Sequence, residues 1–119
     1  MEEAVIKRIP PHSLEAEKSV IGSMLMSGDA VTTAVEILKK EDFYEQQYGV
    51  LFEAMKELYD EDRPVDVVTL ADRLKMKDVP PELIDMAFVT DIIAAVPTSA
   101  NIRYYANIVA EKATLRRLI

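Results

Sequence analysis

His12 is the only histidine in the chain, and there is no cysteine. A zinc site here would rest on carboxylates alone or nearly so, which is not how zinc is normally held. No metal site is expected, and His12 reads as a loop residue ahead of a helix. Without cysteine there is no disulfide framework and no thiolate nucleophile. A serine nucleophile needs an adjacent base. Ser13, Ser19, Ser23 and Ser99 have no obvious partner, and capping or helix packing accounts for them. Carboxylates are plentiful, but Glu15/Glu17, Glu41/Asp42 and Asp60/Glu61/Asp62 read as solvated faces and helix ends. Acid–base work needs a carboxyl of shifted pKa in a cleft, and their spacing points to none. Glycine occurs only at positions 22, 28 and 49, never ahead of a Lys-Ser/Thr pair. A phosphate-cradling G-x-x-x-x-G-K-[ST] loop is therefore absent. No catalytic, cofactor-binding or metal-binding residue is expected.

The chain has 119 residues, half of them hydrophobic, enough for one domain with a real core. No apolar run approaches the ~20 residues that span a bilayer. The first residues, MEEAVIKRIPPHS, lack the apolar block of a secretory signal. A cytoplasmic protein is expected. The net charge is −7. Proteins that grip nucleic acid unaided present a basic patch, because phosphate neutralisation supplies much of the affinity. Here Lys39-Lys40 and Arg116-Arg117 are the adjacent basic pairs, and both read as solvated patches.

The elements are helical throughout. Ile9-Pro10-Pro11 breaks any earlier structure, and Ser13 is a good N-cap for a helix to about Ser27, with Gly28 as its stop. Its apolar stripe is Leu14, Val20, Ile21, Met24 and Leu25. Asp29 is positioned to cap a second helix through about Leu38, and Phe43 and Tyr44 are expected to be buried in the connection that follows. The cleanest period lies at 46–60, where Tyr48, Leu51, Phe52, Met55, Leu58 and Tyr59 share one face. Asp62-Arg63-Pro64 is a turn signal. Asp66 caps a fourth helix that points Val67, Leu70, Ala71 and Leu74 inward. Pro80-Pro81 opens a fifth segment ending near Val96. It is apolar nearly all round, with Leu83, Met86, Ala87, Ile93 and Ala94 on one face and Ile84, Phe88, Ile92 and Ala95 on another, and reads either as the central helix of the bundle or as partly exposed for a partner. Pro97 forces a break, and Thr98 or Ser99 caps the last helix. VDVVTLADRLKMK (65–77) has the look of the first helix of a helix-turn-helix. The segment that would then read DNA offers Glu82, Asp85 and Asp91 and no basic residue, so that reading fails.

The last helix carries two apolar stripes where a surface helix needs one. Ile102, Tyr105, Ala106, Val109 and Ala113 fall on one side. Tyr104, Ile108, Leu115 and Ile119 fall on nearly the opposite side, and the spacing alone leaves open what this second stripe touches.

RIPPHSLEAEKSVIGSML (8–25), EILKKEDFYEQQYGVLFEAM (36–55), RPVDVVTLADRL (63–74) and VPTSANIRYYANIVAEKATLRRLI (96–119) together resemble the N-terminal domain of the bacterial replicative hexameric DNA helicases, the DnaB family. The resemblance covers nearly the whole chain. It implies an all-α fold: a six-helix bundle head, with the last helix forming the first half of a protruding helical hairpin. The implied organisation is a flexible N-terminal arm (1–12), a globular helical head (13–97) and the first hairpin helix (98–119), the returning helix lying beyond Ile119. It implies a non-catalytic scaffold that mediates subunit association, as dimers building a hexamer, and docks a DnaG-type primase during DNA replication. ATP and magnesium would belong to a separate motor domain that unwinds DNA and makes most of the DNA contact. Tyr104, Ile108, Leu115 and Ile119 would line the hairpin interface, against the returning hairpin helix or another subunit, and Phe88 is the candidate primase contact. The family commonly has a Gly-Gly turn before the fifth helix. Ile84 and Asp85 occupy it here, so that helix is expected to start earlier. The competing reading is a stand-alone helical protein–protein adaptor.

Overall fold

A computed structural model describes residues 9–119. Among these residues there are six α-helices, one 3-10 turn and no strand. The helices are α1 (Leu14–Met26), α2 (Gly28–Ile37), α3 (Gln46–Asp60), α4 (Val67–Met76), α5 (Met86–Ala95) and α6 (Ile102–Arg117), with the 3-10 turn at Lys40–Asp42. Residues 1–8 of the expected arm lie outside the described residues. Residues 9–12 lead directly into α1.

Local chemistry explains most of the boundaries. Ser13 Oγ accepts the N–H of Ala16 at 3.2 Å and caps α1. Asp66 accepts from Thr69 N–H at 2.9 Å while Thr69 Oγ1 accepts from Asp66 N–H at 3.0 Å, a reciprocal capping box for α4. α3 and α4 end on Asp62 and Asp78, both in the left-handed region (φ 60° and 57°). This conformation turns the chain so that Arg63 and Val79 N–H close back on Leu58 and Leu74 carbonyls.

Three boundaries differ from expectation. Gly28 does not stop α1; Ser27 ends it and also caps α2 by accepting from Ala30 N–H, so Asp29 lies in the first turn, not at the cap. α5 begins at Met86, not near Pro81. Asp85 accepts from Phe88 N–H at 2.8 Å, and residues 80–84 form turns ahead of that cap. α6 is capped by neither Thr98 nor Ser99 as a side chain. Thr98 Oγ1 accepts from Ala100, and the helix starts after Asn101, which makes no side-chain capping bond.

The central helix is α1, not the fifth. α1 packs against α2, α3, α5 and α6, and Ala16, Glu17, Val20, Ile21, Gly22, Ser23 and Met24 are all buried. α5 buries only Val89 and Ile92. The physical reason is close approach. A Cβ on Gly22 would lie 2.4 Å from Val96 Cγ2 and 3.3 Å from the Ile92 carbonyl oxygen. Small residues on α1 thus let neighbours close in on several sides, while its outermost apolar residues, Leu14 and Met26, stay exposed. Tyr44 and Tyr59, expected inside, are also exposed. The core is built around Val20, Ile21, Met24, Leu51, Phe52, Met55 and Leu70.

Candidate interaction surface on the last helix

α6 lies against α1 and α2. Its buried residues are Ile102, Ala106, Val109 and Ala113, the spacing of one helical stripe, and Tyr105 flanks them half-buried. Alanine at 106 and 113 keeps the helix axis near its neighbours. At about 100° per residue the opposite arc carries Tyr104, Leu115 and Ile108 within about 40°, and Ile119 follows just past the helix end at Arg117.

Each of these four is placed as follows. Tyr104 is 68% exposed and meets Tyr105 edge-on at 6.2 Å. Ile108 is half-buried and lines a groove of about 420 Å³ with Tyr105, Val96, Pro97 and the start of α1. Leu115 is 39% exposed and Ile119 88%. Leu118, which the two-stripe pattern leaves out, is 79% exposed and extends the apolar end of the rod. Phe88 is not on this surface. It is half-buried on α5 and stacks on Tyr48 at 5.8 Å, beside a shallow hollow lined by Glu82, Asp85 and Asp91.

The end of α6 is tied to the head by charges that sequence reasoning placed in solvent. Arg116 donates to the carbonyl oxygens of Pro11 (2.9 Å) and Asp42 (2.6 Å), and its guanidinium lies 5.6 Å from the centre of the Tyr44 ring. Arg117 donates to the Asp42 carboxylate. Asp42 is buried and its other carboxylate oxygen accepts from Lys39 N–H at 2.9 Å. His12 stacks on Tyr44 at 4.0 Å, nearly parallel, with its Nδ1 2.7 Å from the Pro10 carbonyl oxygen. Glu17 is buried as well. Glu17 and Asp42 are thus corrected from solvated faces to buried positions and Arg116 to a half-buried one, while Arg117 stays exposed as expected and reaches Asp42 with its guanidinium. Apart from the Lys39 N–H on Asp42, their partners lie 27 to 105 residues away in sequence, so no local pattern signals them.

Among the described residues no group of three or more His, Asp or Glu side chains is arranged to hold a metal ion, and no helix is long and apolar enough to cross a membrane. The described residues thus form a small all-helical domain that leaves Tyr104, Leu115, Leu118 and Ile119 at its C-terminal end exposed. Residues 9–111 match the model of the DnaB-like helicase N terminal domain, and the chain belongs to that family. It is 44% identical over 112 residues to the replicative DNA helicase DnaC of Bacillus subtilis, covering 94% of this chain and 25% of that protein. It is 42% identical over 119 residues to the replicative DNA helicase DnaB of Geobacillus stearothermophilus, covering 100% of this chain and 26% of that protein. The chain thus spans about a quarter of the length of these curated relatives. The crystal structure of the N-terminal domain of DnaB helicase from Mycobacterium tuberculosis superposes with a TM-score of 0.87 at 42% identity, covering 92% of this chain and 79% of that one. The N-terminal domain of DnaB helicase from Helicobacter pylori, a structure described with its interactions with primase, superposes at 0.74 and 25% identity, covering 87% and 80%.

Proposed function

We propose that this chain acts as the N-terminal scaffold domain of a replicative DNA helicase. It pairs with a second copy through the outer flank of α6 and offers a docking face for a DnaG-type primase. The observation that carries the reading is the position of Tyr104, Ile108 and Leu115 on one arc of a helix whose other arc is already spent on the core, with Leu118 and Ile119 exposed just past its end. Fully burying a large aliphatic side chain is worth roughly 1.5–3 kcal/mol, and burial of the exposed parts of this arc would offset the loss of motional freedom on association. In the assembled protein the paired domains would build toward a hexamer. Residues 98–119 would form one arm of a helical hairpin on the 13–97 head. Nucleotide and magnesium chemistry, and most contact with DNA, would belong to a separate motor domain. The family membership and the relative described with primase support the partner assignment.

Sedimentation velocity over a wide concentration range tests the pairing. The chain is expected to self-associate, and a Leu115→Glu/Ile119→Glu variant to sediment as a monomer with unchanged helix content. A wild-type chain that stays monomeric at high concentration, or a variant that associates as well as wild type, overturns the reading. Calorimetric titration with the helicase-binding domain of a DnaG-type primase tests the second partner, and absence of heat and of any shift in sedimentation argues against docking on this chain.

A further inference from the structure

Most of the exposed apolar surface at the end of the chain lies beyond the core contact of α6, in its last turn and the two residues past Arg117. Ala113 is the last buried residue of α6, and Leu115, Leu118 and Ile119 follow it. Helix ends without tertiary contacts fray and reorient readily. Here that end is held by a clasp that uses every acceptor of one residue. The Asp42 carbonyl oxygen takes Arg116, one carboxylate oxygen takes Arg117, and the other takes Lys39 N–H. Arg116 adds the Pro11 carbonyl oxygen, so a single side chain joins α6, the 3-10 turn and the segment entering α1.

We propose that Arg116 and Arg117, clasped on Asp42 and Pro11, are positioning residues that fix the rotation and tilt of the α6 end, and so the outward presentation of Leu115 and Ile119. This rests on the reading that the outer flank of α6 is a self-association surface. Successive helix positions are about 100° apart, so holding Arg116 against the head turns Leu115 toward solvent. Two of the four bonds end on backbone carbonyls, whose acceptor strength does not change with pH. The Arg117 side chain is 58% exposed while that of Asp42 is 8% exposed. The exposed partner is therefore the one that can be altered with least damage to packing.

The test uses Arg116→Gln/Arg117→Gln, with Arg117→Gln alone as the milder variant should the double one fail to fold, and Arg117→Lys as the conservative rescue. Self-association is measured by sedimentation beside the thermal midpoint. The chain has no cysteine, so spin labels at Glu36→Cys and Leu118→Cys report the distance from α2 to the α6 end without background. The distance is measured in the Leu115→Glu/Ile119→Glu background, which keeps the chains apart. The expected result is at least tenfold weaker association, a broadened distance distribution, little change in midpoint, and partial recovery in Arg117→Lys. A lowered midpoint with unchanged association, or an unchanged distance distribution, overturns the proposal and leaves the clasp as a stabiliser of the head. If wild type itself does not associate, the pairing reading fails, and the distance measurement alone decides whether the clasp positions the helix end.

Discussion

The carboxylate of Glu17, on α1, accepts the backbone N–H groups of both Tyr44 and Glu45, each at 3.0 Å. Glu45 is the residue before α3 and makes no side-chain cap of its own. A buried carboxylate from one helix therefore caps another, and its negative charge faces the positive end of α3. Burial pushes the Glu17 carboxyl above its ordinary value of 4.5, against the pull of the two N–H donors and of Arg116 and His12.

The neutral form of Glu17 is thus favoured by folding. With the folded pKa above the unfolded one, the stabilising contribution is full below 4.5 and is lost as pH rises through the folded value. Glu17→Gln, neutral and still able to accept one N–H, is expected to cost about 1 kcal/mol or less at pH 7. Glu17→Leu leaves two buried N–H groups without an acceptor and is expected to cost about 2 kcal/mol or more. Urea unfolding of both variants at pH 7 checks this, and equal costs would show that the two N–H bonds contribute nothing. The deficit of Glu17→Gln against wild type should widen as the pH is lowered toward 4.5.

The α3–α4 contact shows the opposite pH dependence. Arg73, buried on α4, pairs with Glu57 at 3.1 Å and Glu61 at 2.6 Å, and Lys77 with Glu57 at 2.5 Å and Glu53 at 3.3 Å. Burial alone would raise the Glu57 carboxyl, but the hydrogen bonds from Lys77 and Arg73 outweigh it and hold it below 4.5. The hydrogen bond from Arg73 lowers Glu61 in the same way. Depressed carboxylates contribute stability above the unfolded value that is lost as pH falls through the folded one. Glu57→Gln/Glu61→Gln is therefore expected to be less stable than wild type at pH 7, with a shallower fall in Tm between about pH 5 and 3. Thermal melts across that range decide it, and parallel curves would place the acid sensitivity elsewhere.

Gly22 and Gly28 differ in what surrounds them. Gly22→Ala drives a methyl into Val96, whose Cγ2 and Cβ would be 2.4 and 3.0 Å away, whereas nothing lies within 4 Å of a Cβ at Gly28. Overpacking of this kind costs about 1–3 kcal/mol. Gly28→Ala, in the first turn of α2, is expected to be neutral or to stabilise by up to about 1 kcal/mol. Differential scanning calorimetry of the two variants should give opposite or clearly unequal shifts, and a tolerated Gly22→Ala would mean that α1 and α5 can separate without cost.

Phe88 offers a way to separate packing from recognition. Its stack on Tyr48 contributes about 0.5–1.5 kcal/mol beyond area burial. On the proposed function, Phe88→Ala weakens primase binding at least tenfold, and Phe88→Leu restores most of the Tm but not the affinity. Calorimetric titration of both variants checks it. Unchanged affinity in Phe88→Ala removes the residue from the contact and leaves it a packing residue.

What the residues alone determined is what acts over one or two helical turns. The Ser13 and Asp66 caps, the full span of the 46–60 helix and Ile102, Ala106, Val109 and Ala113 of the core stripe follow from short-range spacing and hold in the fold, while Tyr105 of that stripe is only half-buried. The exposure of Tyr104, Leu115 and Ile119 follows the stripe pattern as well, whereas Ile108, read on the same stripe, is half-buried and packs against the core. Which helix sits at the centre was not legible, since apolar content made the fifth segment look central while close approach at Gly22 and the small residues beside it put α1 there. Nor were the fates of Glu17, Asp42, Arg73 and Arg116, which look like any solvated charge in sequence. Burying a charge is favourable only once a specific donor or acceptor stands beside it. Those partners come from segments that only the tertiary fold brings together.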